Sequence, residues 1–332
     1  MNEISPTLFQ NKDCLITGGL GFIGSNLARR LVGFGARVTL VDSLIPEYGG
    51  NRFNIEGIED RVLVNIADVR DEYSMDYLVQ GRDFLFNLAG QTSHLDSMRD
   101  PYTDLEINCR AQLSILQACR KQNPRVKIVY ASTRQIYGKP DYLPVDERHL
   151  VHPTDVNGIN KMAGEWYHIL YNNVYGLRAV SLRMTNTYGP RMRVKDARQT
   201  FLGIWIKCLI DGVPVEIWGD GMQIRDFNFV DDAVDALLLA ATSDDANGKA
   251  YNLGSDETIN LRDLAELCIQ VNNGGTYKII PFPPDRKPID IGDYYSDYRL
   301  IRGKVGWQPR VNLREGLQRT LEFYRANKER YW

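Results

Sequence analysis

Near the N-terminus a short apolar run at residues 13–17 leads directly into Gly18-Gly19-Leu20-Gly21-Phe22-Ile23-Gly24 and then into an amphipathic stretch over 22–32. This succession of strand, glycine-rich turn and helix constrains the fold more than any other feature. Glycines at 18, 21 and 24 permit a tight turn, let backbone N–H groups approach an anion, and allow close packing of a helix whose positive end faces that anion. About 20 residues further on, a second apolar run ends in the carboxylate of Asp42. Together these are the parts of a dinucleotide site, with pyrophosphate at the helix start and a ribose 2′-hydroxyl on the acid. Asp42 would repel a 2′-phosphate, so NAD is expected rather than NADP. Glycines also punctuate ordinary loops, and an aspartate often ends a strand. Their order along the chain gives them their weight.

The same rhythm continues. Apolar runs at 37–42, 62–67, 84–88, 127–131 and 178–182 alternate with helical patterns at 71–79, 102–121 and 156–174, which predicts βαβ units and a doubly wound parallel sheet. After Gly189-Pro190 the pattern becomes irregular, with helices expected near 200–210, 230–242, 261–271 and 313–327 and little strand. A chain of 332 residues is at or beyond the size where one core divides. The expected organisation is a Rossmann domain at 1–185 and a smaller α/β substrate domain at 186–332, with more than one crossing of the chain between them. A net charge of −2 and no long basic run give no footprint for nucleic acid or an anionic membrane. The polar segment 1–10 has no leader pattern, and no apolar stretch reaches membrane-spanning length, so a cytoplasmic location is expected. Cys14, Cys109, Cys119, Cys208 and Cys268 are scattered and form no CxxC pair, which suggests neither a disulfide framework nor a metal site.

Further motifs run through nearly the whole chain: Ala67-Asp68-Val69-Arg70, Asn87-Leu88-Ala89-Gly90, Ser93-His94-Leu95-Asp96, Ser132-Thr133 with Ile136-Tyr137-Gly138, Asn186-Thr187-Tyr188-Gly189-Pro190, Arg225-Asp226-Phe227 and Gly306-Trp307-Gln308-Pro309. With the turn at 18–24, they make the chain resemble the extended short-chain dehydrogenase/reductase family, in particular its NAD-dependent nucleotide-sugar epimerases and dehydratases. The resemblance implies that Gly18, Gly21, Phe22, Ile23, Gly24, Asp42, Asp68, Val69, Leu88, Ala89, Gly90 and Lys161 contact NAD, Asp68 facing the adenine. It also implies that Thr133 is the hydroxyl beside the reacting sugar carbon. Arg225 and Arg286 would grip the diphosphate of a nucleotide-sugar, since a guanidinium offers forked donors to phosphate oxygens, and His94 and Asn186 would join them in substrate binding. The helices at 102–121 and 156–174 would build a homodimer interface, although their apolar positions could equally pack within one chain.

Two departures bear on the chemistry. The family places a tyrosine four residues before the lysine, on the same helical face, where the ammonium lowers the phenol's pKa for proton exchange with a sugar hydroxyl. Here Lys161 is present but Asn157 occupies the tyrosine's position. A carboxamide can orient a hydroxyl but cannot act as a base. Four readings stay open: a replacement base among His94, Tyr137 and Tyr188, a base supplied by the substrate, a slow enzyme, or a silent binder of NAD and nucleotide-sugar. Second, the dehydratases carry Asp-Glu after the active-site Thr, whereas this chain reads Thr133-Arg134-Gln135. Loss of that carboxyl pair disfavours a 4,6-elimination. Epimerisation of a UDP-sugar or another nucleoside-diphosphate sugar, most often at C4 in this family, is the expected reaction, with a dehydratase or net dehydrogenase as the alternatives.

Overall fold

The computed structural model describes residues 4–45 and 47–332; the start of the polar segment 1–10 lies outside the described residues. Its centre is a seven-stranded sheet in the order β10-β6-β5-β4-β1-β2-β3, with every neighbouring pair parallel. These strands are β1 (Asp13–Thr17), β2 (Arg37–Asp42), β3 (Val62–Ile66), β4 (Phe84–Asn87), β5 (Lys127–Thr133), β6 (Arg178–Met184) and, much later in the chain, β10 (Ala250–Asn252). Alternation along each strand feeds two cores. Cys14, Ile16, Val38, Leu40 and Phe86 face one side, where α1 (Phe22–Gly33) and α8 (Val230–Thr242) pack. Leu15, Val41, Leu85 and Ile128 face the other, against α2 (Glu72–Leu78), α5 (Ala111–Gln122) and α6 (Val156–Tyr175). Helices therefore cover both faces, as a parallel sheet requires.

The chain departs from the sequence reading in two places. The helix expected over 102–121 is broken into α4 (Pro101–Leu105), a π-turn (Glu106–Arg110) and α5, preceded by a short α3 (His94–Arg99). Inside that turn Asn108 points inward to Gln91 O at 2.9 Å and Asp104 Oδ2 at 3.0 Å, a long-range demand that helical periodicity does not register. The C-terminal part also holds more strand than expected. Besides β10 it has β7 (Asn186–Tyr188), β8 (Val215–Trp218), β9 (Ile224–Phe229), β11 (Thr258–Asn260) and β12 (Tyr277–Ile280), in sheets ordered β11-β9-β7 and β12-β8. Runs of three to six residues are too short to show alternation. Around them α7 (Phe201–Asp211), α9 (Leu261–Asn272) and α11 (Leu313–Ala326) enclose a separate core of Leu202, Ile206, Leu264, Leu317 and Leu321, while α10 (Arg299–Val305) packs on the large sheet. No helix among the described residues is long and apolar enough to cross a membrane.

Candidate active site

The strand order reverses between β1 and β4, and a cleft opens at their C-terminal ends. Gly18 leaves β1 at φ +67°, and a Cβ there would lie 3.1 Å from the Ala89 backbone. At Gly24 the constraint is packing: a Cβ would come within 2.2 Å of the Gly18 carbonyl oxygen. The turn thus sits tightly on α1, whose first turn carries no acidic side chain and leaves its N–H groups free to meet an anion. Gly18, Gly21, Phe22, Ile23, Gly24, Asp42, Asp68, Val69, Leu88, Ala89 and Gly90 all line this one cleft of about 870 Å³, open mouth included. Tyr48, Thr92 and Gln199 line it too. They lie in loops without a motif and were not legible in the sequence.

Asp42 accepts from the backbone N–H groups of Leu20 at 3.0 Å and Leu44 at 2.9 Å. Burial pushes its carboxyl pKa up and these two bonds oppose the shift. Asp68 is held at 2.6 Å by Arg70, whose hydrogen bonding keeps that carboxyl below its ordinary value. Lys161 reaches the cleft from α6. Its Nζ donates to Ala131 O at 3.1 Å and lies beside Gly90, where a Cβ would approach it to 2.9 Å. Burial lowers the ammonium's pKa to about 8, against the opposing charge of Asp104. These features fit NAD: a cradle that admits no Cβ, a carboxylate in a cleft that has no Lys or Arg among its described lining residues to take a 2′-phosphate, and an ammonium with donors to spare.

Beyond the cleft the arrangement rests on side chains. Thr133 ends β5, and its Oγ1 accepts from Gln135 N at 3.2 Å. Asn157 is buried, and its Nδ2 donates to Gln91 O at 2.8 Å and to Asp104 Oδ2 at 3.0 Å. The fully buried Asp104 also accepts from Asn108 at 3.0 Å and Asn160 at 2.8 Å. Three carboxamides therefore surround one carboxylate.

The three candidate bases separate clearly. Tyr137 is buried, with its hydroxyl between Asn252 Oδ1 at 2.7 Å and Arg183 Nη1 at 2.5 Å, and burial pushes its pKa well up. Tyr188 is buried against Phe227 and Phe229, donates to Leu313 O at 3.3 Å, and is likewise pushed up by burial. Neither hydroxyl is open to a sugar. The His94 side chain is 41% exposed, and its Nδ1 lies 2.8 Å from Oδ2 of the buried Asp155, within ion-pair reach though not aligned as a hydrogen bond. Asp155 also accepts from Gln135 Nε2 at 2.9 Å and caps α6 through Gly158 N at 2.7 Å. Ser97 joins the same group to Asn157: its Oγ donates to His94 O at 2.7 Å and accepts from Asn157 N at 3.2 Å. The contact of Asp155 with His94 spans 61 residues, and no local pattern in the sequence registers it.

On the remaining side Arg225 is buried and donates to the carbonyls of Ile224 at 2.9 Å and Gly292, with Asp290 at 3.7 Å. Burial, and next the charge of Arg134, lower its pKa to about 10. Asn186 accepts from Arg134 Nη2 at 2.9 Å and donates to Asp226 O at 2.9 Å. The Arg286 guanidinium lies 4.4 Å above the Trp218 ring.

A doubly wound sheet with a glycine-lined cleft at its switch point, next to a lysine and a threonine, defines a dinucleotide-dependent enzyme class. The comparisons narrow the class. Residues 14–254 match the model of the NAD dependent epimerase/dehydratase family, and the chain belongs to that family, with NAD as its cofactor. It is 32% identical over 319 residues to a UDP-glucose 4-epimerase of Mycolicibacterium smegmatis, covering 95% of this chain and 99% of the relative. It is 30% identical to a UDP-N-acetyl-alpha-D-glucosaminuronate decarboxylase of Bacillus cytotoxicus, with coverage of 95% and 98%. A UDP-glucose 4-epimerase of Thermotoga maritima, solved with UDP-glucose, superposes with a TM-score of 0.86 at 30% identity, covering 95% and 99% of the two chains.

Proposed function

We propose that the protein is an epimerase of a nucleoside-diphosphate sugar, acting at C4 of the hexose. One observation carries the reading: the glycine turn and Asp42 line a single cleft together with Ala131, whose carbonyl Lys161 bonds and which lies two residues before Thr133 on β5, and no carboxyl pair for elimination follows Thr133. Bound there, NAD would supply a hydride acceptor that is reused within each turnover. The turn at 18–24 takes the pyrophosphate and Asp42 the adenosine ribose. The two unused donors of Lys161 take the nicotinamide ribose hydroxyls. Thr133 donates to the sugar oxygen being oxidised and stabilises the charge that develops on it. Arg225, Arg286 and Asn186 hold the diphosphate end. Residues 1–185 carry the cofactor half and 186–332 the sugar-nucleotide half, except where α8 and β10 return to the large sheet. Ile159, Trp166, Leu170 and Val174 are exposed along one face of α6 and support a homodimer built on that helix.

The proton falls to His94. Asp155 stabilises the proton on Nδ1 and leaves Nε2 for the sugar hydroxyl, as a carboxylate does for an imidazole base. Loose alignment before substrate binds is ordinary for such pairs. Asn157 orients the substrate and holds the start of α6. The test is NMR of the purified protein with NAD and a panel of UDP-, GDP-, CDP- and dTDP-sugars. One member should be epimerised. His94→Asn should lose about 10³-fold in kcat, the size of a general acid/base contribution, whereas Asn157→Ala should stay within about 10²-fold. A parent inert toward the whole panel sinks the epimerase, and full activity in His94→Asn sinks the role of the histidine.

A further inference from the structure

Lys161 meets an aromatic face as well as the Ala131 carbonyl. Its Nζ lies over the ring of Tyr130, 5.1 Å from the centroid. Tyr130 is fully buried on β5, and the ring of His168 stacks on it at 4.3 Å and 14°. Lys161 and His168 are seven residues apart on α6, two helical turns or about 10.5 Å along its axis, so the phenol ring lies between them. Gly164 makes the room, because a Cβ there would come within 2.7 Å of Tyr130 Oη and 3.2 Å of Cζ. The hydroxyl is buried without a hydrogen-bond partner, so this position uses the ring rather than the phenol oxygen.

The groups around the ring leave its face to the ammonium. Burial raises the Tyr130 pKa well above its ordinary value, and the phenol stays neutral. His168 is fully buried; its Nδ1 donates to Gly164 O at 2.7 Å and leaves Nε2 to accept from Asn87 Nδ2 at 3.4 Å. Burial pushes its pKa down to about 4 against the bond to Gly164, and the charge of Lys161 adds to the fall. A neutral imidazole therefore backs the ring. From α4, Asp104 acts on the charge of Lys161, but its oxygens are taken by three carboxamides. The one hydrogen bond of Lys161, to Ala131 O at 3.1 Å, fixes only one direction of an ammonium on a flexible stem. At 5.1 Å the ring attracts that charge without taking a donor, and the attraction is strongest where water is excluded. We infer that Tyr130 is a positioning residue for Lys161: its ring, set over Gly164 and backed by His168, keeps the ammonium aimed at the cleft beside Gly90. The inference rests on the role proposed above for Lys161 in NAD binding.

Fluorescence titration with NAD from pH 7 to 9 tests it. Tyr130→Phe keeps the ring and should hold affinity within about twofold of the parent. Tyr130→Leu removes the ring and should weaken NAD about tenfold at pH 7. The pH midpoint of its affinity should fall about half a unit or more below the parent's, because the charged form of the lysine loses a partner. In a Lys161→Met background, Tyr130→Leu should cost no more than about twofold, since its effect passes through the ammonium. A ring that merely fills space would cost the same factor in both backgrounds, and that result would overturn the inference. So would a Tyr130→Leu variant with the parent's affinity and midpoint, or a Tyr130→Phe variant as weak as Tyr130→Leu. Where Tyr130→Leu fails to fold, pentafluorophenylalanine at residue 130 keeps the shape of the ring but withdraws the charge from its face, and should show the same loss. Parent-like affinity there would overturn the inference as well. Parent-like NAD binding by Lys161→Met would remove the lysine's own role and the inference with it. Weak binding by Lys161→Met beside an unaffected Tyr130→Leu would remove the inference alone.

Discussion

The two halves of the active site are built from different materials. The cofactor cleft is shaped by backbone at the ends of adjacent strands, with Gly18 and Gly24 excluding any side chain from the places where chain meets chain. The chemical half is shaped by side chains: Gln91, Asp104, Asn108, Asn157 and Asn160 share one buried hydrogen-bond network, and Gln135 bonds Asp155 where the half-exposed His94 comes within ion-pair reach of it. A backbone cradle has few sequence solutions, so it keeps its glycine pattern. A side-chain network can be rebuilt around a different residue. On the function proposed above, that difference is why an ordinary NAD site can stand next to an altered proton site.

The strongest way to break the comparison is at Asp104. Asp104→Ala removes the acceptor that three buried carboxamides share, leaving Asn108 and Asn157 only their bonds to Gln91 O and costing Asn160 its bond to this carboxylate. We expect a loss of about 4 kcal/mol in stability, read by thermal and denaturant unfolding. The NAD affinity of the molecules still folded should change less than about tenfold. A loss under about 1 kcal/mol would show that the network does not hold this half together.

Gly24→Ala should do the reverse. Its Cβ would overlap the Gly18 carbonyl at 2.2 Å, so the turn must open. The expected cost is about 3 kcal/mol of stability together with a loss of NAD affinity of about 100-fold. Retention of the parent's NAD affinity would contradict a cradle defined by backbone packing.

The smallest effect sharpens the boundary between the halves, where Lys161 lies. Burial lowers its pKa to about 8 from the ordinary 10.5. In this window the unfolded chain binds more proton than the folded one. The stability penalty of burying the ammonium is therefore complete below pH 8 and is relieved as pH rises toward 10.5. NAD affinity should move the opposite way, falling a few-fold as pH rises through about 8 and the donating ammonium is lost. Lys161→Met should bind NAD weakly and without this pH dependence. A parent whose affinity is flat from pH 7 to 9, measured by fluorescence titration, would remove the ammonium from cofactor binding.

Much of this was legible in the chain itself. The alternating runs predict six parallel strands, and all six, β1 to β6, begin where the apolar runs do. The cofactor-lining residues were legible because each sits on a motif at a strand end. The short C-terminal strands, the π-turn at Glu106–Arg110 and the contribution of Tyr48 and Gln199 were not. Each depends on a partner distant in sequence, and none changes local periodicity.

The sequence by itself determined the βαβ order, the glycine turn, the carboxylate at Asp42 and an asparagine, Asn157, four residues before Lys161, because these follow from residue type and from spacing over a few positions. Only the tertiary structure decided which of His94, Tyr137 and Tyr188 faces open space, that Asp155 meets His94, and that Asp104 gathers three carboxamides. The physical reason is that burial and pairing are properties of neighbours in space. Two tyrosines that look equally reactive in a sequence become inert once the fold surrounds their hydroxyls, and a histidine gains its carboxylate partner only when two distant segments pack together.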